Sequence, residues 1–124
     1  MIILDTSVLV EALGAGGSMR EALRDALAQR KRMLVPTLVL YEWLRGPRHA
    51  TELAAQEALF PSEGAVPFGS REARVAADLY AAVRRPRGRE IDLAIAACAL
   101  TWNASLWTLN VEDFEDVEGL ELVG

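Results

Sequence analysis

The 124-residue sequence has one cysteine, Cys98, and one histidine, His49. A single cysteine cannot form an intrachain disulfide, and a structural zinc site is disfavoured without further Cys or His ligands. One histidine cannot make a polyhistidine metal centre. A chain this poor in cysteine suits a reducing compartment. Lysine is also scarce: Lys31 stands alone among 13 basic residues. No apolar run reaches the roughly 20 residues that span a bilayer. No secretory leader is expected either, because Asp5 interrupts the apolar start and no positive segment precedes it. The expectation is a soluble cytoplasmic protein with no membrane contact. Residues 1–124 make one domain, large enough to bury a core without a cross-link or structural metal.

The net charge of −5 weighs at first against a nucleic-acid partner. Its distribution changes that reading. All 13 basic residues and 12 of the 18 acids lie in residues 1–107, and six acids crowd into 108–124. The stretch "RRPRGR" (84–89) gathers four Arg residues, a side chain suited to two-pronged contact with phosphate. A solvated loop is the competing reading. His49, after "RGPR", reads as a loop or helix-start residue.

Apolar periodicity gives a coarse map. Residues 1–4, 33–36, 65–68, 104–109 and 120–123 read as five short strands. Helices are expected over 6–13, 19–30, from a Thr37 cap to about Arg45, over 49–60, from a Ser70 cap to Arg84, and over 90–102. Gly46-Pro47 stops the third helix. Strands alternating with helices imply a parallel sheet covered on both faces. Ligands of such sheets bind beyond the carboxyl ends of the strands, where strand order reverses.

Three acids stand out. Asp5 ends the first strand, where it also suits a helix N-cap. Glu42 is the only acid in "TLVLYEWLRG", on a face shared with Leu38 and Val39. Burial there costs free energy unless the carboxylate is paired, with Arg45 for instance, or binds a metal. Asp92 leads the apolar face of Ile95, Ala96 and Ala99, although an acid also favours a helix amino end. Thr108, Asn110 and Asp113 follow the fourth strand. Oxygen ligands without His or Cys select Mg²⁺ or Mn²⁺, whose usual chemistry is on phosphates.

At this point the chain resembles the PIN-domain ribonucleases, in particular the VapC-type toxins of prokaryotic toxin–antitoxin pairs. "ILDTSVLVEAL" resembles the family's opening strand, with Asp5 and Thr6. "LVLYEWLRG" resembles its second motif, with Glu42 and Gly46. "IDLAIAACAL" resembles the third, with Asp92, and "LWTLNVEDFEDVEGLEL" the closing segment. Family members often carry a fourth acid there, sometimes where Asn110 stands, which leaves Asp113 as the fourth candidate. The resemblance implies a three-layer α/β/α fold with a central five-stranded parallel sheet in the order 3-2-1-4-5. It implies RNA cleavage with Mg²⁺ or Mn²⁺ held by Asp5, Glu42, Asp92 and Asp113, giving 5′-phosphate and 3′-hydroxyl ends. Thr6, Arg87, Arg89, Thr108 and Asn110 are then the expected substrate contacts. A homodimer and a small VapB-like antitoxin are the expected partners, the antitoxin lying near Trp43 and Leu44.

Other readings stay open. A receiver-like domain would need an acceptor Asp after the third strand and a late Lys. A haloacid-dehalogenase-like phosphatase would need an acid where Ser7 stands. A PIN-like binding module without catalysis is the non-enzyme alternative, separated from the enzyme by metal-dependent RNA cleavage.

Overall fold

The computed structural model describes residues 1–123. Its elements are β1 (Ile2–Leu4), α1 (Thr6–Leu13), α2 (Arg20–Ala28), β2 (Met33–Leu34), α3 (Thr37–Arg45), α4 (Ala50–Leu59), α5 (Ser70–Ala82), α6 (Glu90–Thr101), β3 (Ser105–Trp107) and β4 (Leu122–Val123). Single turns of tighter helix cover Ser62–Gly64 and Val111–Asp113.

The four strands form one parallel sheet in the order β2-β1-β3-β4. The expected fifth strand at 65–68 is reduced to one parallel bridge, Pro36 to Val66. Val66 bonds on both sides, its N–H to the Val35 carbonyl at 2.9 Å and its carbonyl to the Thr37 N–H at 2.8 Å. Pro36 and Pro67 have no N–H to extend the ladder. The bridge still lies beyond β2, so the expected spatial order is kept.

β1 is central, and Ile3 and Leu4 are fully buried. The chain leaves β1 towards β2 and later returns past it to β3, so strand order reverses between β1 and β3. Right-handed crossovers in opposite directions put their helices on opposite faces of the sheet. The contacts agree with this. α1 packs against α2, α3 and α4, whereas α6 lies on β1 and β3 and is covered by α5. Leu93 to Ala99 of α6 are all buried, which explains why this helix is apolar on every side.

Two local features differ from the sequence reading. Gly69, not Ser70, precedes α5, and its N–H donates to the Glu72 carboxylate at 3.0 Å. Trp43 is wholly buried, so it cannot line a partner groove as expected. The Arg48 guanidinium lies 4.1 Å from its ring and donates from Nε to the Trp43 carbonyl at 2.8 Å. This closure runs over Gly46, where a Cβ would come within 2.8 Å of Arg48 Nη2.

Candidate active site

Asp5 follows β1 at the N-cap position of α1, yet its side chain makes no capping bond. The carboxylate faces β3 instead and is 4% exposed. Its Oδ2 accepts from Thr108 Oγ1 at 2.6 Å and from Ser7 Oγ at 2.9 Å. These hydroxyls are themselves held: the Leu109 N–H donates to Ser7 Oγ and the Asn110 N–H to Thr108 Oγ1, each at 3.0 Å. Two donors converging on Oδ2 leave Oδ1 for a ligand. Parallel pairing of β1 with β3 brings this about, because the ladder runs up to the bond from the Asp5 N–H to the Trp107 carbonyl.

Glu42 projects from the middle of α3 and is half-buried. The Thr6 hydroxyl donates to its Oε1 at 2.5 Å, and Arg45 Nη2 stands 3.6 Å from Oε2. The expected Arg45 pair therefore exists, but at a long distance and with a largely exposed Arg. Asp92 lies in the first turn of α6 and is half-buried. Burial, and after it the charges of Asp5, Asp113 and Glu42, push its carboxyl up to about 6, against an opposing pull from Arg89.

The three acids share one cavity of about 390 Å³, whose wall also includes Thr6, Ser7, Glu11, Leu109 and Asn110. Glu11 escaped the sequence reading, although it lies four residues after Ser7 and so on the same helical face. Asn110 is on the wall. Asp113 is exposed and off it, and acts on Asp92 through its charge. A larger cavity of about 580 Å³ lies between α1, α2 and α4, lined by Leu13, Leu23, Leu27 and Leu59 with Arg20 and Arg24. Glu52 is the one acid on its wall, whereas the smaller cavity gathers Asp5, Glu11, Glu42 and Asp92.

Two expected substrate contacts are committed elsewhere. Thr108 is buried, and its hydroxyl is spent between Asp5 and the Asn110 N–H. Arg89 is tied to Asp116 and the Asp113 carbonyl. Arg84, Arg85 and Arg87 remain exposed. Thr6 reaches the cavity, but its proton is given to Glu42.

Among the described residues no three Asp, Glu, His or Cys side chains converge as a ready-made ion site. The donors nevertheless fit a hard divalent cation. They are all oxygen, Asp5 keeps one carboxylate oxygen free of hydrogen bonds among the described residues, and burial followed by the neighbouring acids disfavours the Asp92 charge that a cation would stabilise.

The sequence profile of the PIN domain matches residues 2–120. The chain belongs to the PIN-domain family. Within 62 residues this PIN domain is 44% identical to Ribonuclease VapC1 of Rickettsia felis, a stretch covering 47% of this chain and 45% of that protein. The chain thus spans less than half the length of that relative. Among solved structures, the fold is similar to DNA-bound VapBC from Salmonella typhimurium, with a TM-score of 0.78 and 19% identity over 98% of this chain and 96% of that one. It is also similar to VapBC2 of Rickettsia felis bound to a promoter DNA fragment, with a TM-score of 0.75 and 20% identity over 99% and 98%. At these identities the likeness to both structures is one of fold.

Proposed function

We propose that this PIN domain is a divalent-metal-dependent endoribonuclease and the toxin of a toxin–antitoxin pair. The observation that carries the nuclease reading is that Asp5, Glu42 and Asp92, from three separate elements, line one cavity at the strand-order reversal. No ion pair to a basic side chain satisfies Asp5 or Asp92 among the described residues. The 44% identity to Ribonuclease VapC1 supports RNA as substrate.

Asp5, Glu42 and Asp92 would hold Mg²⁺ or Mn²⁺, with Asn110 on the fourth side of the cavity and Asp113 acting from outside it through its charge. Such an ion supplies an activated water at neutral pH and stabilises charge on the phosphate. The protein's own groups prepare the cavity. Ser7 and Thr108 fix Asp5 through Oδ2 and keep Oδ1 available. Thr6 holds Glu42 by one oxygen. Burial, and then the neighbouring acids, raise the Asp92 carboxyl to about 6, so without a cation it is only half ionised near that pH. The exposed Arg84, Arg85 and Arg87 lead directly into α6 and offset repulsion between RNA and the acids.

The silencing partner is a small VapB-like antitoxin, a reading supported by the VapBC complexes that share this fold. Two apolar surfaces suit an amphipathic helix: the α1–α2–α4 cavity, and α3 where Tyr41 is 57% and Leu44 49% exposed. Self-association of the free chain into a homodimer is part of the same proposal. Incubation of purified protein with RNA, followed by sequencing of the RNA ends, tests the nuclease reading. Internal cuts that need Mg²⁺ or Mn²⁺ and vanish in chelator support it, and intact RNA in both conditions refutes it. Isolation from the native host at physiological salt without any small partner refutes the toxin role.

A further inference from the structure

The last residue of the Arg-rich segment has no hand free for a substrate. Arg89 sits at the N-cap position of α6, three residues before Asp92, and its side chain is 18% exposed. Nη2 donates to Asp116 Oδ1 at 2.6 Å and to the Asp113 carbonyl at 2.8 Å. Nη1 donates to Asp116 Oδ2 at 2.9 Å and to the Arg85 carbonyl at 3.4 Å. A guanidinium has five N–H donors. Four are spent here, and the fifth, on Nε, is buried without a partner. None remains for a phosphate.

The two elements joined in this way each adjoin a residue of the cavity wall. On one side is the amino end of α6, which presents Asp92. On the other is the turn Val111–Asp113, which follows Asn110 on the cavity wall. Inside that turn the backbone makes only short-range bonds: Asp113 N–H to the Asn110 carbonyl and Phe114 N–H to the Val111 carbonyl, both at 3.0 Å, and Val117 N–H to the Phe114 carbonyl at 3.1 Å. Phe114 and Val117 anchor the segment in the core beyond the turn. The bond from Arg89 to the Asp113 carbonyl fixes the main chain itself, and a two-pronged Arg–carboxylate pair fixes orientation as well as charge.

We propose that Arg89 and Asp116 form a clasp that sets Asn110 and Asp113 relative to Asp92. Both are positioning residues of the cavity, not substrate contacts. The effect of the clasp on rate rests on the nuclease reading above; the clasp itself is a property of the fold.

The clasp and a phosphate-gripping Arg89 have opposite consequences for Asp116. If Arg89 grips RNA, Arg89→Ala weakens RNA binding, whereas Asp116→Asn tightens it by freeing a cation and removing a negative charge. If the pair is a clasp, both variants behave alike. Each lowers kcat by about tenfold to a hundredfold, the scale of a small misplacement of reacting groups. KM and the salt dependence of RNA binding stay near wild type. The experiment compares wild type, Arg89→Ala and the milder Asp116→Asn by steady-state RNA cleavage with Mg²⁺, by RNA binding in chelator across salt, and by amide hydrogen exchange. The clasp requires exchange at residues 113, 114 and 117 to quicken by about tenfold in both variants, the scale for losing a charged hydrogen bond, while the Asp5 amide in the sheet is unchanged. Unaltered exchange in both variants overturns the proposal, as does tighter RNA binding by Asp116→Asn beside weaker binding by Arg89→Ala. If wild type does not cleave RNA, the nuclease reading fails, and the exchange comparison still decides the clasp.

Discussion

Replacing Asp92 with Asn removes a charge that the surrounding structure resists. Burial is the largest cause of that resistance, followed by Asp5, Asp113 and Glu42, and together they move the carboxyl from 3.8 to about 6. Such a displacement corresponds to at most about 3 kcal/mol of unfavourable ionisation. Solvent screening at this half-buried position reduces the figure to about 1–2 kcal/mol. Between pH ~4 and ~6 the native protein keeps a proton that the unfolded chain has already released. Stability therefore falls as pH climbs through that window and levels off above it. Asn has no proton to lose, so Asp92→Asn gains on wild type by about 1–2 kcal/mol between pH ~4.5 and ~7.5 in chelator. Urea denaturation at the two pH values measures the gap. Mg²⁺ should then reverse the order. At a hundredfold excess over its dissociation constant, an ion stabilises the protein that binds it by about 2.7 kcal/mol, and the variant lacks one of the ligands. A gap that is constant across pH, or equal Mg²⁺ responses in the two proteins, would refute both the electrostatic picture and the role of Asp92 as a ligand.

Thr108→Val deletes a 2.6 Å bond to Asp5 and leaves the Asn110 N–H without its acceptor; it should cost about 2 kcal/mol in chemical denaturation and slow RNA cleavage, and a wild-type rate in the folded variant would deny Thr108 a part in holding Asp5. Arg87 is exposed on the segment before α6, so Arg87→Ala should lower the slope of RNA affinity against salt by about one unit, and an unchanged slope makes this segment a solvated loop. Cys98 is buried with its thiol pushed up to about 12, chiefly by desolvation; a thiol-alkylating reagent at pH ~8 should label the protein only in denaturant, and rapid labelling of the native state would contradict the buried α6 core.

Local chemistry makes several elements legible in the sequence. Pro36 and Gly46-Pro47 bracket α3, which ends at Arg45 as expected, although Pro36 and not the expected Thr37 stands at its N-cap. The apolar periods place the end of β1 and both ends of α1 to the residue. The strand expected at 65–68 resembles its neighbours in hydropathy, but Pro67 removes the donor that a second rung would need. The direction in which Asp5 points is not legible, because an Asp before a helix can cap it. Thr108 decides the matter from 103 positions away along the chain. The role of Arg89 is hidden for the same reason. Charge patterning shows four Arg within six residues but not that Asp116, 27 residues on, absorbs one of them. Thr6 and Ser7 are both suited to cap α1 or hold Asp5. Ser7 does hold Asp5, while Thr6 reaches across to Glu42 on another helix.

The central claim is that Asp5, Glu42 and Asp92 act together on RNA through a divalent ion. Its most direct measurement is the initial rate of RNA cleavage by Asp5→Asn, Glu42→Gln and Asp92→Asn beside wild type, each shown to be folded by circular dichroism, with Mg²⁺ and with chelator. Wild type should cleave only with the ion, and each variant should be slower by at least about a hundredfold, the scale for losing one charge-stabilising group. Undiminished cleavage by any folded variant, or cleavage by wild type that persists in chelator, would contradict the claim.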